Sequence, residues 1–94
     1  MTSRRRAVHR KDRNHAAIVA VAEAYGWQVV DLSGAGAGIP DLLAYKASAG
    51  WRLIEVKAGK GQTFTEAQQR FRARYTLPVL TITSEFEAEQ VFNR

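Results

Sequence analysis

The sequence predicts an α/β domain whose elements run α-β-β-β-α-β-α, with a mixed sheet flanked by helices. Three observations carry this. An apolar stripe at helical spacing occupies the first third of the chain. Three short apolar runs follow it, separated by glycine-bearing turns. A second helical pattern is then broken by Pro78, and the chain returns to one alternating run and a short capped helix.

The first helix is predicted from Asp12. Asn14, Ile18, Val21, Ala22 and Tyr25 recur at the spacing of one helix face, and Gly26 is a natural stop. WQVVDL, residues 27–32, reads as a strand. SGAGAGIP is a glycine-rich turn without the GxxxxGK[ST] pattern of a phosphate loop, and it opens no helix, so it is no nucleotide cradle. Residues 41–46 and 51–58 read as two further strands, and the short KASAG link predicts an antiparallel hairpin. TEAQQRFRARYT forms the second helix, with Ala67, Phe71 and Tyr75 or Arg74 inward. VLTIT, residues 79–83, is the fourth strand. Ser84 caps a last helix anchored by Phe86, Val91 and Phe92.

Ninety-four residues make one domain, expected over 12–94, behind a flexible basic arm over 1–11. The chain has no cysteine, which excludes disulfides and thiolate zinc sites and suits a cytoplasmic protein. No apolar run approaches the roughly 18 residues of a membrane span, and the basic N-terminus lacks the apolar core of a secretory signal. The net charge is +5, concentrated in Arg4, Arg5, Arg6, Arg10, Lys11 and Arg13. Such an arm favours a polyanion, nucleic acid first, although a solvated terminus would read the same way.

The chemistry is expected in GIPDLLAYKASAGWRLIEVKAGKG, residues 38–61. Glu55 and Lys57 are two apart on a strand and so share a face. If Lys46 pairs with Gly50 around a three-residue loop, the register runs on through Tyr45–Trp51 and Leu43–Leu53 to Asp41–Glu55. Asp41, Glu55 and Lys57 would then cluster at one end of the hairpin. A slip of one residue would send Asp41 to the other face. Two adjacent carboxylates repel, and a divalent cation relieves the repulsion. Few, hard oxygen ligands suit Mg²⁺ or Mn²⁺, with the Val56 carbonyl as a further ligand. Such a site can lower the pKa of a bound water and stabilise charge on a phosphate, with Lys57 assisting. ExK alone is an ordinary solvated strand face and PD alone an ordinary turn, so the argument rests on their combination.

That combination resembles a known family. G-x-PDLL, a strand, then IEVK is similar to the PD-(D/E)xK nuclease superfamily, and more closely to its small VRR-NUC type, found in stand-alone phage and bacterial proteins. The resemblance spans about Asp12 to Val91 and includes FTEAQ, where the family commonly has Leu-Thr-x-x-Gln opening a helix. It implies a restriction-endonuclease-like core. It implies Asp41, Glu55 and Lys57 as the metal and catalytic set, with Gln68 in support. Thr65-x-x-Gln68 is also a capping box, and the two readings of Gln68 stand side by side. Family members often carry a glutamate early in the first helix. Here the nearest residue is Asn14, either a neutral metal ligand or a polar residue at a helix start.

Phosphate contacts are expected from the arm, from Lys60 and from Arg70, while Arg72 and Arg74 are divided between phosphate and solvent. With no base-reading motif, recognition by DNA shape is expected: a flap, or a Holliday-type four-way junction as the resemblance implies. A homodimer would present two cutting centres. Two other readings remain: a nucleic-acid-binding module of the same fold with little catalysis, and a domain whose arm docks an acidic protein.

Overall fold

Two helices cover one face of a four-stranded sheet, and a third crosses only one end of the other face. The computed structural model describes residues 10–59 and 63–94, and the side chains of the first helix from residue 14 onward. The elements are α1 (Arg10–Ala24), β1 (Gln28–Asp31), β2 (Leu42–Lys46), β3 (Gly50–Val56), α2 (Glu66–Arg74), β4 (Val79–Ile82) and α3 (Glu85–Phe92). The order is the predicted one. Arg10 and Lys11, ahead of the expected start at Asp12, are already helical, as good helix formers. Among the described residues no helix is long and apolar enough to cross a membrane.

The strands lie in the order β1-β2-β3-β4. β1 and β2 are antiparallel, as are β2 and β3, while β3 and β4 are parallel. The hairpin register is the expected one, with Lys46 opposite Gly50, Tyr45 opposite Trp51 and Leu43 opposite Leu53. Parallel β3 and β4 need a crossover connection, and α2 supplies it.

The period of two sorts the sheet into faces. Leu42, Ala44, Ile54, Val56 and Ile82 point to one side and are buried under Ile18 and Ala22 of α1 and Ala88 and Phe92 of α3. Phe92 is fully buried, which is worth about 1.5–3 kcal/mol. Its ring meets Trp27 edge-on at 5.3 Å, and the indole N–H donates to the Phe92 carbonyl at 2.9 Å. Tyr25 donates to Glu89 at 2.5 Å and joins α1 to α3. The glutamate carboxylate penalises the phenolate, so the Tyr25 pKa is raised.

Three expectations about side chains are corrected. Phe86 is 69% exposed and anchors nothing. It stands two residues from Ala88, about 200° around the helix from the buried face. Tyr75 lies just past the end of α2 as its C-cap and is 44% exposed, whereas Ala67 and Phe71 are half-buried as the inward side of the helix. β2 begins at Leu42 rather than Asp41, and β3 ends at Val56 rather than Ala58. The reason is chemical: the Val56 N–H donates to the Asp41 side chain at 2.8 Å, so that a carboxylate takes the donor where strand pairing stops.

Candidate metal and phosphate site

Pro40 and the turn before it aim Asp41 at the end of β3. Gly36, Ala37 and Gly38 all have positive φ, at 75°, 57° and 75°. A Cβ at position 38 would stand 2.0 Å from the Ala67 carbonyl oxygen and 2.8 Å from the Gln68 nitrogen. Only glycine lets this loop touch the start of α2, and that contact brings Asp41 and Gln68 to one place.

Asp41, Glu55 and Lys57 are buried, at 6%, 2% and 9% relative exposure. Lys57 Nζ lies 3.7 Å from Glu55 Oε2. Gln68 joins them: its Nε2 donates to Glu55 Oε2 at 2.6 Å, and its Oε1 accepts from Lys57 Nζ at 2.8 Å. The same Oε1 accepts the Thr65 N–H at 2.9 Å, while the Gln68 N–H donates to Thr65 Oγ1 at 3.1 Å. The capping box and the contact with the two charged groups are therefore made by one side chain. Lys57 is held at its backbone as well. Its N–H donates to the Ile82 carbonyl at 3.1 Å, and its carbonyl accepts from Asn14 Nδ2 at 3.0 Å.

Asn14 thus reaches the group from α1, through its amide nitrogen and toward the main chain. The hairpin and the first turn of α2 supply the other members. The remaining predicted residues lie elsewhere. Arg70 is on the exposed side of α2, 3.8 Å from Glu66 one turn earlier. Arg4, Arg5, Arg6 and Lys60 lie outside the described residues, as do the side chains of Arg10, Lys11 and Arg13. Asp31, a spare carboxylate in the sequence, accepts from the Ser33 N–H at 2.8 Å and from its hydroxyl at 2.6 Å. Partial burial pushes the Asp31 pKa up, but the Ser33 bonds and nearby His15 outweigh it, and the net shift is downward.

Sequence reasoning passed over Phe64. Its ring meets two cations, with Lys57 Nζ 5.2 Å from the centroid and the Arg72 guanidinium 4.0 Å from it. Arg72 also reaches Thr81 Oγ1 at 3.5 Å. The signal was the F of FTEAQ, but an aromatic before a helix cap has no fixed meaning until its neighbours are known.

Asp41 and Glu55 are two buried carboxylates, and buried charge is costly unless it is paired or holds a cation. The donors are hard oxygens, and among the described residues no group of three or more His, Cys, Asp and Glu converges. Hard carboxylate oxygens fit Mg²⁺ or Mn²⁺, which take one or two carboxylates and keep several waters.

The architecture has a counterpart among solved structures. The fold is similar to that of a VRR_NUC domain. The superposition has a TM-score of 0.75 at 22% sequence identity and covers 93% of this chain and 98% of the other. No protein-family model and no curated protein matches the sequence. At this identity the likeness concerns the fold, and the VRR_NUC-like arrangement is what brings β2, β3 and the start of α2 together.

Proposed function

We propose that this protein is a metal-dependent nuclease of the PD-(D/E)xK, VRR-NUC type that hydrolyses phosphodiester bonds in DNA endonucleolytically. The observation that carries the reading is the buried Asp41, Glu55, Lys57 and Gln68 group on a fold similar to a VRR_NUC domain. Asp41, Glu55 and the Val56 carbonyl would hold Mg²⁺ or Mn²⁺, which when bound supplies Lewis-acid stabilisation and an acidified water. Asp41 is oriented by the Val56 N–H. Gln68 holds the Glu55 carboxylate and the Lys57 ammonium in register, and Lys57 presents its charge to the phosphate undergoing attack. Asn14 fixes the Lys57 main chain from the side of α1.

The substrate in this reading is branched or flapped DNA, a Holliday-type junction included, cut by a homodimer in the cytoplasm of a bacterial or phage-infected cell. The test is cleavage of a labelled four-way junction, a flapped duplex and a linear duplex in Mg²⁺, Mn²⁺ or EDTA. Cutting is expected only with metal. Lys57→Ala should lower it about 10²–10³-fold, the usual cost of removing one stabilising donor.

A second reading, a DNA-binding module with little catalysis, is favoured by one observation. Asn14 brings no charge where an acid would strengthen cation binding. Tight binding of the same DNAs without cutting in either metal would select it.

A further inference from the structure

Beside the group just described runs a groove that none of its residues explains. It has a volume of about 470 Å³, within the roughly 300–1,000 Å³ typical of small-molecule sites. Its apolar wall is Ile39, Phe71, Tyr75 and Leu77, and two arginines, Arg70 and Arg74, line it as well. We propose that this groove binds unpaired nucleobases of the strand that flanks the scissile phosphate, which would make the substrate a nucleic acid with a single-stranded segment. The proposal deepens the nuclease reading and rests on it for the word scissile; the groove itself does not.

Three features select this occupant. The first is the pair of rings. Phe71 and Tyr75 stand one helical turn apart, with centroids 4.9 Å apart and planes tilted by 47°. Both belong to an open groove, and Tyr75 is 44% exposed. Exposed aromatic faces beside cations are how proteins hold single strands, because every base has a π-face to stack. Bases inside a duplex are already stacked and paired, so these rings can receive only unpaired ones.

The second feature is charge. Arg74 lies over the Tyr75 ring at 5.4 Å, and its Nε donates to the phenol oxygen at 3.1 Å. Arg70 faces an exposed glutamate at 3.8 Å, a solvent-screened pair that a phosphate can replace. A chain of net charge +5 favours a polyanion over an acidic peptide of low charge density. The third is continuity. Phe71 and Tyr75 follow Gln68 by three and seven residues, about 5 and 10 Å along the axis of α2 and its end. Gln68 itself holds Glu55 and Lys57. A strand with its phosphate at Lys57 passes directly onto the rings.

The test uses the full chain in EDTA, so that binding is read without cutting. The probes are a twelve-nucleotide single strand carrying 2-aminopurine and a blunt duplex of the same sequence. Wild type should quench the fluorophore. Tyr75→Leu and Arg74→Gln should lose the quench and bind the single strand about tenfold more weakly, with duplex affinity within twofold of wild type. Phe71→Leu should behave alike, and circular dichroism checks that each variant folds. Phe86→Ser, on the exposed side of α3, should quench as wild type does. A quench untouched by Tyr75→Leu would overturn the proposal. So would equal losses for single strand and duplex, or a sedimentation mass that Tyr75→Leu halves, which would assign the groove to a second copy. Quenching by a wild type that never cuts would sink the nuclease reading and leave the groove standing.

Discussion

A single amide carries much of the local electrostatics. Gln68 has one oxygen and one nitrogen, and it gives the oxygen to Lys57 and to its own helix cap and the nitrogen to Glu55. An acidic side chain there would repel Glu55, and an apolar one would leave two buried charges short of a partner, at about 1–3 kcal/mol each. The pair of carboxylates makes a sharper prediction. If Asp41 and Glu55 hold a cation, Mn²⁺ at about a hundred times its Kd should stabilise the fold by about 2.7 kcal/mol. For a domain of this size that raises Tm by about 10 °C or more. Asp41→Asn keeps an oxygen for the Val56 N–H but loses the charge. It should fold as well as wild type in EDTA and show little of the Mn²⁺-induced rise. A differential scanning fluorimetry titration decides this, and equal rises in both proteins would remove Asp41 from the metal site.

Among the elements, α2 has the weakest hold on the molecule and the strongest on the site. None of its side chains is fully buried. Its position is set by the capping box, by Gln68 and by contact with the loop at Gly38. Gly38→Ala tests this directly. The methyl group would collide with the Ala67 carbonyl, and φ is +75°. Left-handed backbone costs a non-glycine residue about 1–2 kcal/mol, so a moderate loss of Tm is expected. The larger effect should be functional, since an ångström of misplacement costs about 10²-fold in rate. Gly34→Ala is the control, because nothing lies within 4 Å of its added carbon. A Gly38→Ala protein with reduced Tm but wild-type cleavage would show that α2 does not need this contact.

For the whole molecule, the question is the sheet face opposite the packed core, which is exposed at Val30 and Trp51. Opposite the packed core, Val30, Leu43, Leu53 and Val79 form one cross-strand row, and Tyr45 and Trp51 form the next. Val30 is 52% and Trp51 63% exposed, whereas Leu43, Tyr45, Leu53 and Val79 are half-buried. Large exposed apolar patches mark association sites. The proposed homodimer is better sought here than around Phe92 of α3, which is buried in the chain's own core. Trp51→Arg should therefore return a dimer to monomer in light scattering at micromolar concentration, with little change in Tm. Phe86→Ser should leave the mass as it is. The opposite pattern would put the interface on α3.

By itself the sequence determined what depends on near neighbours. The stripe through Ile18 and Ala22, the hairpin register from a three-residue loop, the Ser84 cap and the Thr65–Gln68 box are all local, set by periods of 3.6 and 2 and by short closures. The juxtaposition of Asp41 with the end of β3 was legible for the same reason, because register carries one pairing to the next. Only the tertiary structure decided how distant segments meet. That Gln68 reaches Glu55, that Asn14 reaches the Lys57 carbonyl, and that Phe64 meets both Lys57 and Arg72 depends on where α1 and α2 dock on the sheet. The division between buried Phe92 and exposed Phe86 has the same origin. Both are aromatic and both lie in one short helix, but packing offers a surface to only one side of it. An apolar residue announces that it can be buried; which neighbour buries it is settled by the packing of segments far apart in the chain.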